Sequence, residues 1–322
     1  MPIIQITNTY KGAVLDIVKE CIPEGFEART LPANTDEALM EAVADADYIL
    51  ASGRLRIDEN VLAHAPHLKM IQRTGVGLDT LDLEAIRKAG IPLYVNQGVN
   101  AQSVAEHTIL LILACLRKLT LLDANSKRGI WQKQAQGITT YELSQKTVGV
   151  IGMGNIGKKV AGLLNAFGAN VLYFDQYRPT PEEEKRLNIE FAEIDELFAR
   201  SDVVTLHCAL TDETRGIVNS RTLGLMKKGS MVVNTARGPL INEADLLDAI
   251  ETEKIAFAGL DVHAEEPYSD HDALVCSERV IATPHIGGVT YDSFKAMIAG
   301  AMNNIAMFEK GELERIQNSR LV

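Results

Sequence analysis

Three side chains suited to proton transfer and anion binding, Arg237, Glu266 and His285, each follow a short apolar segment late in the chain. A guanidinium is planar, permanently charged and able to grip a carboxylate through two hydrogen bonds. An imidazole exchanges protons near neutral pH, and a neighbouring carboxylate stabilises its charged form and orients the ring. A single arginine or histidine is usually a plain surface or core residue. Three such groups at successive strand ends suit the binding of a carboxylate and the transfer of a proton beside it.

A glycine-rich loop lies near the middle of the chain, where Gly152–Gly157 reads Gly-Met-Gly-Asn-Ile-Gly between an apolar strand and a helical pattern. We expect Gly152 to permit a tight turn, Gly154 to admit a pyrophosphate close to the backbone, and Gly157 to bring the helix against the strand. The helix N-terminus then offers unpaired amides to the anion. The predicted dinucleotide contacts here are Gly152, Gly154, Asn155, Ile156 and Gly157.

Asp175 ends the strand that follows this loop. A carboxylate at this place accepts hydrogen bonds from ribose hydroxyls and repels a 2′-phosphate, so the pattern predicts NAD rather than NADP. Two alternatives stay open at this point. Asp175 is a solvated loop acid in one of them, and in the other Arg178, three residues further on, weakens the discrimination.

Short apolar strands alternate with helical patterns along the chain, which is typical of parallel βαβ units. The first series of strands is expected at Ile3–Ile6, Phe26–Leu31, Tyr48–Leu50, Leu68–Ile71 and Leu93–Val95. The second series is expected at Val148–Ile151, Asn170–Phe174, Val203–Leu206, Met231–Asn234, Phe257–Leu260 and Val280–Ala282. A long helix is expected from Gln102 to Leu119, with Asn100 or Ser103 as its cap.

These elements predict an α/β protein with two doubly wound parallel-sheet domains. The apolar helix Tyr291–Lys310 has no strand after it, so we expect it to return to the first domain. A Rossmann NAD-binding domain (99–289) would thus be inserted into a flavodoxin-like, substrate-binding domain (1–98 plus 290–322).

The chain resembles the D-isomer-specific 2-hydroxyacid dehydrogenase family. The glycine loop and the segments Asn234–Gly238, Asp261–Pro267 and Pro284–Gly288 carry this resemblance. Further matches, in order along the chain, are Arg73–Asp79, Asn100–Glu106, Arg128–Trp131 and His207–Thr211. The resemblance implies NAD-dependent hydride transfer between NADH and a small 2-keto acid, the product being a D-2-hydroxy acid. It implies that Arg237, Glu266 and His285 are the catalytic residues.

The same resemblance implies further binding residues. His207 would lie against the nicotinamide or the pyrophosphate, and Asp261 would bind the nicotinamide carboxamide. Backbone groups near the nicotinamide ribose would come from Thr235 and Ala236. On the substrate side, loop amides at Val76 and Gly77 would bind the carboxylate, and Ser52 and Asn100 would line the pocket.

The sequence leaves several alternative functions open. Phosphoglycerate dehydrogenases usually carry an arginine directly before the serine that matches Ser52, but Ala51 stands there, so a phosphorylated substrate is in doubt unless Arg54 replaces the charge. NAD-bound corepressors share the resemblance, yet they usually carry long terminal extensions, and we expect neither these nor a regulatory domain here. Tyr291 and Lys295 match the spacing of a short-chain dehydrogenase pair without that family's glycine motif.

Composition excludes several classes of protein. A formal net charge of −11 disfavours nucleic-acid and anionic-membrane partners. Four widely spaced cysteines form no C-x-x-C pair, so we expect free thiols in a reducing cytoplasm and no metal site. No signal peptide or membrane-spanning stretch is apparent. The apolar segments Gln102–Leu119 and Leu121–Trp131 predict a homodimer that pairs through this region, although a buried helix would have the same pattern.

Overall fold

The computed structural model describes residues 1–53 and 55–322. Arg54, considered above as a replacement for the missing arginine, lies outside the described residues. The chain forms two compact units, Met1–Asn100 with Thr290–Val322, and Ala101–Val289. The first boundary lies two residues beyond the 98/99 position expected from the sequence. The strand-end segment before it belongs to the first unit, where Val95 N donates to Ser319 O and Asn96 Nδ2 donates to Met297 O.

The first unit contains a five-stranded parallel sheet of order β2-β1-β3-β4-β5, the flavodoxin-like order. Its strands are β1 (Ile3–Ile6), β2 (Glu27–Thr30), β3 (Tyr48–Ala51), β4 (Met70–Arg73) and β5 (Leu93–Tyr94). Its helices are α1 (Gly12–Glu20), α2 (Asp36–Ala42), α3 (Glu59–Ala63), α4 (Leu83–Ala89) and, from the C-terminal segment, α13 (Tyr291–Glu309).

Alternation along these strands builds two cores, one on each face of the sheet. Ile49 and Ile71 face one cluster, whereas Leu50 and Met70 face the other, which includes Ile298 of α13. A strand buried on both faces reads as a continuous apolar run, which is why these strands stand out in the sequence. Helix α13 returns to the first sheet, where its apolar side chains are buried.

The second unit contains a seven-stranded parallel sheet of order β12-β11-β10-β9-β6-β7-β8. Its strands are β6 (Thr147–Ile151), β7 (Asn170–Phe174), β8 (Glu190–Phe191), β9 (Val203–Leu206), β10 (Ser230–Asn234), β11 (Ile255–Leu260) and β12 (Val280–Ala282). Its helices are α5 (Ala101–Arg117), α6 (Leu119–Lys127), α7 (Lys133–Gly137), α8 (Asn155–Ala166), α9 (Pro181–Leu187), α10 (Ile194–Arg200), α11 (Ser220–Leu225) and α12 (Glu243–Glu251). The six strands from β6 to β11 have the Rossmann order, 3-2-1-4-5-6, and β12 is added as a seventh strand at one edge. β8, a two-residue strand at the other edge, was not predicted from the sequence.

The helix predicted from Gln102 to Leu119 is α5 in the structure, which begins one residue earlier and ends two residues earlier. Lys118 has a left-handed backbone (φ +51) and separates α5 from α6. Ser103 is not the cap of α5, because it lies inside the helix and its hydroxyl donates to Gly287 O at 2.8 Å. Helix α5 packs on α8 and on the sheet of the second unit, so much of its apolar character is explained by burial within this unit.

Across the described ranges 1–53 and 55–322, no helix is both long and apolar enough to span a membrane. The same residues contain no group of three or more histidine, cysteine, aspartate or glutamate side chains arranged to hold a metal ion.

Candidate active site

Three neighbouring strands of the second unit end beside one another at one edge of the sheet. β10, β11 and β12 are hydrogen-bonded in that order and run parallel, so the segments that follow them share a carboxyl edge. Arg237 follows β10, Asp261 directly follows β11, and His285 follows β12. Ligands of doubly wound folds bind at this edge.

His285 and Glu266 form a hydrogen-bonded pair. His285 Nδ1 lies 2.8 Å from Glu266 Oε2, and the other carboxylate oxygen accepts the backbone amide of His263 at 3.1 Å. A carboxylate only accepts hydrogen bonds, so Nδ1 carries a proton. The His285 side chain is 42% exposed and that of Glu266 is 21% exposed. The arrangement fixes the ring on its protein side and leaves Nε2 for proton exchange with a ligand.

The turn that carries His285 has an uncommon backbone. His285 has φ +54, a left-handed value that a residue with a side chain adopts only when its surroundings impose it. Its amide donates to Asp261 O at 2.8 Å and to Thr283 O at 3.0 Å. The next two amides donate to the Asp261 carboxylate, Ile286 N to Oδ1 at 2.9 Å and Gly287 N to Oδ2 at 2.8 Å.

Asp261 is 1% exposed and ionised in this setting. Burial opposes ionisation, but hydrogen bonds from His107, Thr283 and the two backbone amides outweigh it and lower the pKa of the carboxyl group. A buried carboxylate with several donors is expected to keep its charge. The observed contacts of Asp261 hold the His285 turn, a role that the sequence did not predict for it.

Local hydrogen bonds also define the turn that carries Arg237. Asn234 Nδ2 donates to Arg237 O at 2.8 Å, and Asn234 Oδ1 accepts the Ala236 amide at 3.0 Å. Arg237 Nη1 donates to Ala236 O at 2.6 Å. A Cβ on Gly238 would lie 2.0 Å from the carbonyl carbon and oxygen of His263, so only glycine lets this turn pack on the loop that carries Glu266.

The glycine loop has the shape that a dinucleotide pyrophosphate requires. Gly152 has φ +99, and a Cβ there would lie 2.5 Å from Cys208 N. A Cβ on Gly157 would lie 2.0 Å from Gly152 O, so the first turn of α8 touches the loop. Gly154 borders open space and is the N-cap of α8, with no side-chain hydrogen bond to the helix. The uncapped helix N-terminus, begun by Asn155 and Ile156, therefore fits a phosphate group.

Asp175 lies against this loop. Its Oδ2 accepts the Met153 amide at 2.5 Å, and its Oδ1 accepts the Tyr177 amide at 2.8 Å. Each carboxylate oxygen has a further lone pair for a ribose hydroxyl. Asp175 is thus a built part of the loop rather than a solvated acid.

The Arg178 guanidinium forms its ion pair with Glu184 and not with Asp175. Its guanidinium donates to both carboxylate oxygens of Glu184, at 2.7 and 3.2 Å, and lies 4.5 Å from the Phe191 ring centroid. This pairing opposes the alternative in which Arg178 weakens the discrimination, and the preference for NAD over NADP stays a prediction.

The remaining predicted cofactor residues lie at the same edge. The His207 amide donates to Ile151 O at 2.7 Å, and its ring Nε2 lies 3.0 Å from Thr205 Oγ1. Desolvation lowers the pKa of His207 to about 3, so the ring is neutral and its backbone is the part beside Gly152. Thr235 is buried, its hydroxyl 2.9 Å from that of Thr108, and Ala236 is half-buried.

In the first unit, Ser52 follows β3. Its amide donates to Thr7 Oγ1 at 3.1 Å. Its own hydroxyl is buried and has no hydrogen-bond partner among the residues that the structure describes. A buried hydroxyl without a partner is a group that a ligand can satisfy.

The loop with Val76 and Gly77 follows β4 in the same unit. Val76 is 48% exposed. Arg73 Nε donates to Gly77 O at 2.9 Å, and its Nη1 lies 3.3 Å from both Ala51 O and Gly53 O. One guanidinium thus ties this loop to the loop that carries Ser52. Asn100, the last residue of this stretch of the first unit, is half-buried.

Residues 109–287 match the family model described as the NAD-binding domain of D-isomer specific 2-hydroxyacid dehydrogenases. The chain belongs to this family. Because the matched residues lie within the second unit, that unit is the family's NAD-binding domain.

Named relatives have several substrates. D-3-phosphoglycerate dehydrogenase of Methanocaldococcus jannaschii is 40% identical over 91% of this chain and 55% of its own length. Hydroxypyruvate reductase of Thermotoga maritima is 36% identical over 84% of this chain and 87% of its own length. D-lactate dehydrogenase of Aquifex aeolicus, solved with NAD and lactic acid, is 28% identical with a TM-score of 0.85 and covers 99% of each chain. The chain spans about half the length of the phosphoglycerate dehydrogenases that it matches.

Sequence reasoning missed three residues near the site of this family member. His107, which was not assigned to the site from the sequence, lies 3.0 Å from Thr283 Oγ1 through its Nε2, and Thr283 was not singled out either. His263 is 5% exposed, both ring nitrogens lack hydrogen-bond partners within the described part of the chain, and the ring packs on Tyr268. One signal was available for His107, since it lies one helical turn after Ser103 and directly follows the segment Asn100–Glu106 that resembles the family.

Proposed function

We propose that the chain is an NAD-dependent dehydrogenase that interconverts a small 2-keto acid and its D-2-hydroxy acid. The observation that carries this proposal is the His285–Glu266 pair, whose Nδ1–Oε2 distance is 2.8 Å, at the carboxyl edge where Arg237 also lies. The family membership supports it. This combination of an oriented imidazole and a guanidinium supplies a proton carrier and a carboxylate receptor.

Each residue has a defined task in this proposal. Arg237 binds the substrate carboxylate and polarises the neighbouring carbonyl. His285 donates the Nε2 proton to the developing alkoxide during reduction and removes it during oxidation, while Glu266 stabilises the imidazolium. The nicotinamide, when bound, supplies or accepts the hydride. Its pyrophosphate would be held by the loop Gly152–Gly157.

The proposal assigns the other predicted contacts as follows. Asp175 would bind the adenosine ribose, and Thr235, Ala236, His207 and Asp261 would contact the nicotinamide side of NAD. We assign substrate binding to the first unit, through the residues Ser52, Val76, Gly77 and Asn100. The buried hydroxyl of Ser52 and the exposure of Val76 support this assignment.

Phosphoglycerate dehydrogenase itself is a second candidate, favoured by the names of several relatives. A panel assay separates the candidates by following NADH oxidation with pyruvate, glyoxylate, hydroxypyruvate, 2-ketoisocaproate and phosphohydroxypyruvate. We expect turnover with at least one unphosphorylated keto acid. Turnover with phosphohydroxypyruvate alone would favour the second candidate, and NADH binding without any turnover would leave a binding protein.

Replacing the proton carrier tests the chemistry directly. His285→Ala should lower kcat by a factor of about 10² to 10⁴, the range for a lost general acid, with NADH affinity nearly intact. His271→Ala is the control, because that side chain is 91% exposed. If both variants turned over like the wild type, His285 would have no catalytic role.

The variant Glu266→Gln tests the role of the Glu266 carboxylate, because it removes the negative charge. Reduction requires a protonated His285, and the neutral amide no longer stabilises that cation. The alkaline limb of the pH profile for reduction should therefore move to lower pH. A profile that overlays the wild type would remove Glu266 from the mechanism.

We further infer a cytoplasmic location and a small 2-keto or 2-hydroxy acid as the substrate, with neither nucleic acid nor membrane as a partner. The free state of Cys21, Cys115, Cys208 and Cys276 supports the location, since oxidising compartments favour disulfides.

A further inference from the structure

One face of helix α5 contacts the two turns that carry the proposed catalytic residues. Ser103 Oγ donates to Gly287 O at 2.8 Å, and His107 Nε2 lies 3.0 Å from Thr283 Oγ1. The two residues are one helical turn apart and therefore share a face. Thr108 extends this contact to the Arg237 side, with its hydroxyl 2.9 Å from that of Thr235.

The hydrogen bonds from His107 form a chain with one possible direction. Thr283 Oγ1 donates to Asp261 Oδ1 at 2.6 Å, because a carboxylate only accepts. A hydroxyl has one proton, so the same oxygen must accept from His107. Nε2 of His107 therefore carries a proton. It lies 3.0 Å from Thr283 Oγ1 and 3.4 Å from Asp261 Oδ1, so His107 contacts the carboxylate both through Thr283 and directly.

This chain ends on the group that holds the His285 turn. Asp261 accepts the amides of Ile286 and Gly287, and its carbonyl accepts the amide of His285, whose backbone has φ +54. Space around the carboxylate is tight. A Cβ on Gly287 would lie 2.8 Å from Asp261 Oδ2 and 3.2 Å from His107 Cδ2. A change in His107 must therefore be transmitted to this turn through the carboxylate and its neighbours.

We propose that His107 is a positioning residue that, by donating from Nε2 to Thr283, holds Asp261 and with it the turn of His285. This inference rests on the proposed function for its kinetic consequence but not for its structural one. Position 107 requires a hydrogen-bond donor at the place of Nε2, and it does not require an imidazole ring. The His107 side chain is 14% exposed, and the groups that it contacts belong to the second unit. We therefore expect His107 to act on His285 through these contacts and not by touching the substrate.

The test compares two replacements at one site. His107→Gln places an amide N–H near the position of Nε2 and keeps a donor, whereas His107→Leu removes it. We expect His107→Leu to lower kcat by about tenfold, as for a small misplacement of a catalytic group, with KM within about twofold of the wild type. His107→Gln should restore kcat to within about twofold. Glu106→Gln, an exposed change on the same helix, is the control.

A second arm needs no activity. The ring signals of His285 in NMR spectra of the substrate-free protein should move in His107→Leu and in Thr283→Val, and return towards their wild-type positions in His107→Gln. The double variant His107→Leu with Thr283→Val should lose less than the sum of the two single effects, since both substitutions act on the same carboxylate. Thermal unfolding confirms that each variant is folded.

The two proposals fail in different ways. A protein that turns over no keto acid but shows these NMR changes contradicts the proposed function and leaves the positioning role standing. Equal kcat and equal His285 signals in His107→Leu and the wild type overturn the positioning role. An equal loss in His107→Leu and His107→Gln also overturns it, because the donor would then be irrelevant.

Discussion

Asp175 shows how one side chain combines a structural and a selective task. It accepts the Met153 amide within the glycine loop, and its charge lies where the ribose of the dinucleotide is proposed to bind. NADH should be preferred over NADPH by about tenfold or more in kcat/KM, because two negative charges in contact cost several kcal/mol. Asp175→Ala should relax this preference.

Arg178 provides the matched control for that measurement. Its guanidinium is paired with Glu184, so Arg178→Gln should leave the ratio of the two kcat/KM values unchanged. Equal efficiencies with NADH and NADPH in the wild type would contradict the role of Asp175.

Asp261 carries a pH-dependent contribution to stability. Its pKa is lowered in the folded protein, so its stabilisation is present above the unfolded value of about 3.9 and is lost as pH falls through the folded value. Asp261→Asn should reduce the free energy of unfolding at pH 7 by about 2 kcal/mol, because the amide cannot accept at both positions. Urea unfolding should show this gap closing below about pH 4.

The exposed Asp212 supplies the control, since Asp212→Asn should change the free energy of unfolding little at any of these pH values. A gap between Asp261→Asn and the wild type that stayed constant from pH 7 down to about pH 2 would mean that the charge of Asp261 is not what stabilises the turn.

At the scale of elements, the glycine loop and α8 offer three substitutions with different outcomes. Gly157→Ala should destabilise the protein by about 2 kcal/mol, because its Cβ would meet Gly152 O at 2.0 Å and the backbone must shift. Gly154→Ala should leave stability nearly unchanged but weaken NADH binding by about tenfold, because the added methyl group enters the space where the pyrophosphate approaches.

Gly162, inside the same helix and exposed with open space around it, is the control. Gly162→Ala should raise the free energy of unfolding by about 0.5–1 kcal/mol through helix propensity and leave NADH affinity unchanged. Chemical unfolding and NADH fluorescence titration measure the two quantities separately. If Gly154→Ala bound NADH like the wild type, the loop would not be the pyrophosphate site.

The elements also show where local patterns mislead. Most strands were placed within a few residues because they are buried on both faces and read as apolar runs. β8 was not predicted, because its two residues, one exposed and one half-buried, lie at the sheet edge and form no apolar run. The end of α5 was predicted two residues too late, at Leu119 instead of Arg117, because the left-handed Lys118 has no sequence signal comparable to glycine.

At the scale of the whole molecule, we propose a homodimer that pairs through α5 to α7. Helix α5 buries most of its apolar side chains within its own unit, but Leu110 is 53%, Leu119 53%, Trp131 84% and Ile138 81% exposed. Exposed apolar side chains in one segment are typical of an interaction surface. Light scattering at micromolar concentration should give about twice the chain mass of 35.2 kDa.

Substitutions distinguish this surface from other exposed apolar residues. Leu110→Glu combined with Trp131→Glu should shift the protein to monomers, whereas Tyr177→Glu, at an equally exposed site (83%) elsewhere, should not. A wild-type protein that is monomeric in the same experiment contradicts the dimer.

Within the candidate site, local patterns in the sequence predict which residue types follow which strands. Arg237, Asp261 and His285 could be placed at one edge because parallel strands in a doubly wound sheet all end on the same side. The glycine positions followed from their spacing, since a tight turn and close helix packing need residues without Cβ. These are local rules, and they act over a few residues.

The contacts that hold the site depend on the tertiary structure. His107 and Thr283 lie 176 positions apart in the chain, and nothing local to either one predicts that their side chains meet. Arg178 and Glu184 are close in sequence, but their pairing over the Phe191 ring still depends on how β7, α9 and β8 pack. Hydrogen bonds need heavy atoms within about 3 Å and a defined direction, and only the folded chain sets those distances for residues that are remote in sequence.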